Sequence, residues 1–289
     1  MGIFDTSPKA RAAALVAPPF AYALLLLAFP LVAIVLISFW TQDFLTLDTT
    51  FTLANYQAIA TEPIYRALLG RSLFVSLMVT LVTVLLAYPV AYFLSFHVHP
   101  SRKSLWLFLI TIPFWTSYLI RVFLWRVILG YNGVVNTALL ELRLIDEPLT
   151  FILYNLNSVI ITLAHAYAVF AILPIYVALE KIDRSLLEAA QDLGENRFTT
   201  FLRVTLPLSV PGIVGAVLIV FIPVIGDYVT PELMGGPGGR VMANMIQVQF
   251  LQINNAPLGA ALSIVTMLTV AVVAVAFILL NRRWLRGRA

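Results

Sequence analysis

Glu188-Ala189-Ala190-Gln191-Asp192-Leu193-Gly194, followed after nine residues by Val204-Thr205-Leu206-Pro207, is the most strongly patterned polar stretch in an otherwise apolar chain. The segment from Glu180 to Leu208 that contains it is too long and too patterned to be a simple turn. Ser185 and Glu188 fit a capping box, with Asp183 as another cap, and Leu186, Leu187, Ala189, Ala190 and Leu193 then populate one helix. Gly194 is expected to end that helix in the left-handed conformation that reverses a chain. A second short helix is expected from about Asn196, with Pro207 marking its end. The segment therefore reads helix, break, helix.

On either side of this segment the chain is built for a bilayer. Of 289 residues, 61% are hydrophobic and 11% charged, and the mean hydropathy is +0.95. A helix that crosses the hydrocarbon needs about 20 mainly apolar residues, because every backbone polar group must be satisfied within the segment. Six stretches qualify: Ala14 to Trp40, Ser72 to Phe96, Leu105 to Leu129, Phe151 to Leu179, Ser209 to Pro231 and Leu258 to Leu280. The expectation is an all-α membrane protein of six transmembrane helices in a single domain over residues 1–289, with the patterned loop at 180–208. Lys9 and Arg11 precede the first apolar run as in a secretory signal, but the run is about twice a signal's length and reads as a retained helix. The chain has no cysteine, which excludes disulfides and cysteine metal sites.

The net charge of +4 is a matter of topology rather than of nucleic acid, since the cations do not cluster into a patch. With the amino terminus inside, the inner segments hold twelve basic residues: Lys9, Arg11, Arg102, Lys103, Lys181, Arg184, Arg197, Arg203, Arg282, Arg283, Arg286 and Arg288. The outer segments hold four, Arg66, Arg71, Arg143 and Arg240, while Arg121 and Arg126 fall in the third span. Short loops rich in Lys and Arg stay in the cytoplasm, so both termini and the patterned loop are expected there. Within the outer loops, Thr52 to Ala60 and Met242 to Ile253 read as short helices with apolar faces.

The spacing of Glu188-Ala189-Ala190, three residues, Gly194, nine residues and Val204-Thr205-Leu206-Pro207 resembles the EAA loop of ABC-importer permeases, with valine where that pattern has isoleucine. Pro113-Phe114-Trp115-Thr116-Ser117-Tyr118-Leu119-Ile120-Arg121, Asn132-Gly133-Val134-Val135-Asn136 and the run from Ile222 to Pro237 are similar to the first of the two permease types in spermidine/putrescine importers. The resemblance covers most of the chain from about Phe51 onward. It implies a type I (MetI-like) permease fold in a bacterial inner membrane. It also implies a loop, with Glu188, Ala189, Ala190, Gly194, Leu206 and Pro207 at its matched positions, that couples to a groove of an ATPase subunit. The implied partners are a second permease, two ATPase subunits, an extracytoplasmic solute-binding protein and a small organic solute such as a polyamine. ATP and Mg would then reside on the ATPase chains. Accordingly there is no G-x-x-x-x-G-K-[ST] motif, and the cluster Gly235-Gly236-Pro237-Gly238-Gly239 lacks its Lys-Ser/Thr ending and reads as a turn.

Charges inside spans are costly and are functional candidates by default. Asp227 is expected near the outer end of the fifth helix, and Arg121 and Arg126 near the outer end of the third. Asp227 has two readings. It can face a cationic amine, with Trp115, Tyr118 and Tyr228 adding aromatic faces, or it can pair with Arg121 or Arg126 and join two helices, with Glu232 doing likewise at the rim. The arginines would equally suit an anionic or zwitterionic solute. His165 reads as a packing residue, and His97 and His99 as part of a solvated inner loop. An ion-coupled carrier is the main alternative, but its ionisable groups would lie near the midplane and the patterned loop would have no purpose. H-E-x-x-H and G-x-S-x-G are absent, which leaves no catalytic residue to name.

Overall fold

A computed structural model describes residues 8–44 and 46–286. Arg288 lies outside the described residues, as do the side chains of Lys9, Arg11 and Arg286. In chain order the elements are α1 (Pro8–Ile37), β1 (Thr41–Asp43), β2 (Thr46–Asp48), α2 (Ala54–Thr61), α3 (Pro63–Phe96), α4 (Pro100–Thr111) and α5 (Tyr118–Ile128). Then follow α6 (Val134–Glu141), α7 (Leu156–Glu180), α8 (Arg184–Asp192), α9 (Arg197–Thr200), α10 (Leu206–Ile225), α11 (Val229–Met234), α12 (Met242–Leu251), α13 (Ala256–Leu280) and α14 (Arg282–Arg286). Five helical runs are long and apolar enough to cross a membrane, and α4 with α5 makes a sixth candidate bent by 85°.

The described residues fall into two compact units, one within Met1–Pro63 and Ile246–Thr266, the other within Ile64–Met245 and Met267–Ala289. In the first, β1 and β2 form an antiparallel hairpin. Buried Asn55 donates from Nδ2 to the carbonyls of Ser38 (3.1 Å) and Trp40 (2.7 Å), tying α2 to the end of α1. In the second, the buried side of α3 runs through Leu68, Ser72, Val75, Val79, Thr83, Ala87 and Leu94. Its opposite side exposes Phe74, Leu77, Leu81 and Leu85, as suits a helix with lipid on one face. α7 and α10 lie at the centre of this unit. Gly212 makes their close approach possible, because a Cβ there would stand 2.4 Å from Ala178 Cβ and 2.6 Å from the Pro174 carbonyl oxygen.

Three expectations are corrected. The third span, expected unbroken from Leu105 to Leu129, is two arms joined by a 3₁₀ turn at Ile112–Trp115 and extended residues at Thr116 and Ser117. Pro113 has no N–H to continue the ladder, and its ring crowds the carbonyl one turn back. The fifth span ends at Ile225 rather than Pro231, so Asp227, Tyr228 and Glu232 lie beyond it and start a new short helix, α11. Pro207 does not separate two helices. α9 passes through a π turn at Phe201–Thr205 straight into α10, giving one run over Arg197–Ile225. The wide π turn sets the backbone just before Pro207 so that the ring is accommodated without a break.

Candidate functional site

The patterned loop is an exposed, well-capped device. The Asp183 carboxylate accepts from the Ser185 N–H at 3.0 Å at the start of α8, which holds that carboxyl below its usual range. At the other end Glu195 N–H donates to the Ala190 carbonyl (3.1 Å) and Gly194 N–H to that of Gln191 (2.9 Å), the paired bonds of a Schellman motif. Gly194 has φ +90°, and a Cβ there would meet nothing within 4 Å, so backbone conformation alone requires glycine. Asn196 then caps α9 by accepting from Phe198 and Thr199 N–H, and the Glu195 carboxylate, bonded by Thr199 and Arg203, is likewise held below its usual range. Glu188 and Ala189 are exposed and Ala190, Leu206 and Pro207 half-buried. Leu193 and Phe198, at 86% and 68% exposure, leave an apolar face beside the glycine with nothing on it.

A partly buried polar joint fixes where this loop leaves the bundle. Glu180, the last residue of α7, accepts from Lys103 Nζ at 2.5 Å and from the Ser95 hydroxyl at 2.8 Å. Lys103 Nζ also donates to the Ser95 carbonyl (2.9 Å), as does Arg184 Nη2 at 2.7 Å. The Arg184 guanidinium lies 4.2 Å from the centre of the Phe96 ring. The first turn of α8 is thereby bound to the ends of α3, α4 and α7.

At the opposite end of α10 the Asp227 carboxylate is held by neutral donors. Tyr118 O–H donates to its Oδ2 at 2.6 Å, and the N–H groups of Val229 (3.0 Å) and Thr230 (3.4 Å) donate to Oδ1. Tyr118 spends its single proton on Asp227, so the Thr230 hydroxyl, 2.5 Å away, donates to Tyr118. Asn244, fully buried on α12, donates from Nδ2 to the Tyr228 carbonyl (2.9 Å) and to Glu232 Oε2 (3.2 Å). Glu232 and Arg240, with Pro231, Gly236 and Pro237, line an adjoining cavity of about 420 Å³.

A family model described as "Binding-protein-dependent transport system inner membrane component" matches residues 16–286. The chain belongs to that family. Over 228 residues it is 41% identical to the spermidine/putrescine transport system permease protein PotB of Escherichia coli (strain K12), covering 78% of this chain and 82% of that one. It is 37% identical over 246 residues to PotB of Haemophilus influenzae, covering 85% of each. A chain in the crystal structure of a bacterial ABC transporter that imports the acidic polysaccharide alginate matches with a TM-score of 0.73 at 18% identity, covering 95% of this chain and 96% of that one. That last likeness is one of fold. The protein is therefore a multi-pass inner-membrane permease, a transport component rather than an enzyme.

In this permease Tyr118 and Asp227 touch directly, and Asn244 joins Tyr228 to Glu232. The other three sequence candidates go elsewhere. Trp115 packs edge-on against Phe108 at 5.5 Å and stays 73% exposed. Arg121 lies over the Phe114 ring at 4.7 Å and Arg126 over Tyr154 at 5.5 Å, and among the described residues neither forms an ion pair with Asp227. The Nε and Nη1 atoms of Arg121 are buried without a hydrogen-bond partner. His165 packs as expected, accepting from Trp125 Nε1 at 3.0 Å. Sequence reasoning passed over Thr230, Asn244 and the Glu180 joint. An asparagine inside the apolar run of α12 was the one available signal for Asn244.

Proposed function

We infer that this permease forms half of the solute pathway of an ABC importer for polyamines such as spermidine or putrescine, beside a second permease. Two ATPase chains holding ATP and Mg drive it through the loop at 180–208, and an extracytoplasmic binding protein delivers the solute. The likeness to PotB over most of the chain is the main support for this reading. The chemistry at the end of α10 favours the same solute class. The Asp227 carboxyl accepts hydrogen bonds from neutral donors and forms no ion pair among the described residues, which leaves it open to an ammonium group. Tyr228, 43% exposed beside it, offers an aromatic face to the same group. The excess of basic residues in the inner segments supports placing both termini and the loop in the cytoplasm.

The exposed Leu193 and Phe198 beside Gly194 give the loop the character of a docking element, with the slim Glu188-Ala189-Ala190 turn entering the ATPase groove. Arg121, with two unpartnered nitrogens, carries the competing reading of an anionic solute. Cells lacking their own polyamine uptake and expressing the complete importer separate the two. Labelled spermidine should accumulate and be displaced by unlabelled putrescine; displacement by an excess of dicarboxylate, with none by putrescine, would reverse the substrate assignment.

A further inference from the structure

Where α3 ends and α4 begins, the chain forms a cavity of about 590 Å³ lined by His97, His99, Ser101 and Arg102, with Phe93 and Trp106 among its walls. Phe93 stacks on the His97 ring at 5.9 Å with the planes 9° apart, and meets Trp106 edge-on at 6.2 Å. The His99 Nδ1 and the Ser101 hydroxyl are 2.8 Å apart. The side chains of His97 and Arg102 are exposed, and neither has a hydrogen-bond or ion-pair partner among the described residues.

The charge balance here is one-sided. Residues 63–140 contain no aspartate or glutamate. Of the acids at this end of the bundle, Glu180 is engaged by the neighbouring Lys103 and Ser95 and approached by Arg184, Asp183 caps α8 and Glu195 pairs with Arg203, while Glu188 and Asp192 lie farther along α8 and do not line the cavity. Arg102 thus faces a cavity with no carboxylate in its lining. The cavity also sits at one depth. α3 is long and apolar enough to cross a membrane and ends at Phe96, so we place the residues just beyond it at headgroup depth, where an indole such as that of Trp106 is favoured. The exposed Leu105, Phe108 and Leu109 next to it continue into the acyl region.

We propose that this cavity is a binding site for the phosphate of an anionic glycerophospholipid, with Arg102 as the charged donor, the His97 and His99 rings and Ser101 as polar contacts, and the Phe93–Trp106 wall beside the start of the acyl chains. A basic pocket at a helix end, flanked by apolar surface, is the arrangement that anionic headgroups select. Free phosphate offers the same anion but not the tails. The site is separate from the proposed solute contacts at Asp227 and does not depend on which solute is carried.

The test is native mass spectrometry of the importer purified in detergent with its partner chains. It is titrated with phosphatidylglycerol, phosphatidylcholine or inorganic phosphate. The parent should prefer phosphatidylglycerol over phosphatidylcholine, and the combined His97→Gln and Arg102→Gln variant should bind phosphatidylglycerol about five- to tenfold more weakly. Arg102→Lys, which keeps the charge, should retain most of the preference and shows that the loss is not one of folding. Undiminished phosphatidylglycerol binding in the double variant would overturn the proposal. Displacement of the lipid by millimolar inorganic phosphate would overturn it in favour of a free anion. Loss of a co-purifying ATPase from the double variant, with lipid preference unchanged, would overturn it in favour of a protein-docking surface.

Discussion

Gly194 is a position where backbone geometry alone decides the residue. Its φ of +90° with open space around the missing Cβ means that valine would meet no clash, only conformational strain of about 1–3 kcal/mol. That strain is enough to depopulate the docked geometry of α8 about tenfold. Gly194→Val should therefore insert normally and lower uptake about tenfold, with weaker recovery of the ATPase on purification; full uptake in a well-expressed variant would remove the coupling role. Asp227 presents the opposite case, in which side-chain chemistry decides. Asp227→Asn keeps the size and an acceptor for the Val229 and Thr230 N–H groups, but removes the charge proposed to meet the solute. Uptake should be lost with only a small fall in melting temperature. In a double-mutant cycle, Asp227 should couple to Tyr118→Phe by about 1.5 kcal/mol, as hydrogen bonds to charged groups do. Its coupling to Arg121→Gln should stay within about 0.5 kcal/mol, because the two do not pair. A large Arg121 term would contradict the arrangement described.

At the scale of elements, the spans were legible because runs of apolar residues with satisfied backbones leave little choice but helix. The break between α4 and α5 was not legible. Pro18, Pro19, Pro30, Pro89, Pro174, Pro211 and Pro223 all sit inside helices that continue, so Pro113 alone did not announce the bend. The contact between Tyr118 and Asp227 was equally hidden, since it joins residues 109 positions apart and follows from where that bend aims α5. The packing of α10 on α7 is tested at Gly212. Gly212→Val would drive a branched side chain into Ala178 and the Pro174 carbonyl at distances that no rotamer relieves, and overpacking of this kind costs about 1–3 kcal/mol. The melting temperature should fall by several degrees, and an unchanged value would show that the helices are not held at this separation. The Glu180 joint makes a different prediction. Glu180→Gln leaves Lys103, 13% exposed, without its acid, at a cost of about 1–2 kcal/mol, below that of a fully buried pair because Glu180 keeps 32% of its side chain exposed. If the joint transmits force from α8 to α3 and α4, the variant should hydrolyse more ATP per spermidine imported. An unchanged ratio with lower stability would make the joint purely structural.

For the whole molecule, the ends of α8 in the loop at 180–208 were readable because they act locally, Asp183 capping its start and Gly194 reversing the chain, whereas the capping box expected at Ser185 and Glu188 does not form and Pro207 ends no helix. That a partner chain covers Leu193 and Phe198 is a proposal about the assembly, and so rests on the family and on their exposure rather than on any local pattern. A permease sequence without a G-x-x-x-x-G-K-[ST] motif, with Leu193 and Phe198 exposed beside Gly194 and a carboxyl at the end of α10 that forms no ion pair among the described residues, fits one proposed account, in which ATP hydrolysed on a separate chain moves a cationic solute. The most direct measurement is labelled spermidine uptake into proteoliposomes holding this permease and its second permease, with and without the ATPase chains, ATP inside and the binding protein outside. The account predicts accumulation that requires both the ATPase and ATP and is indifferent to an imposed proton or sodium gradient. Accumulation driven by such a gradient with the ATPase omitted would contradict it.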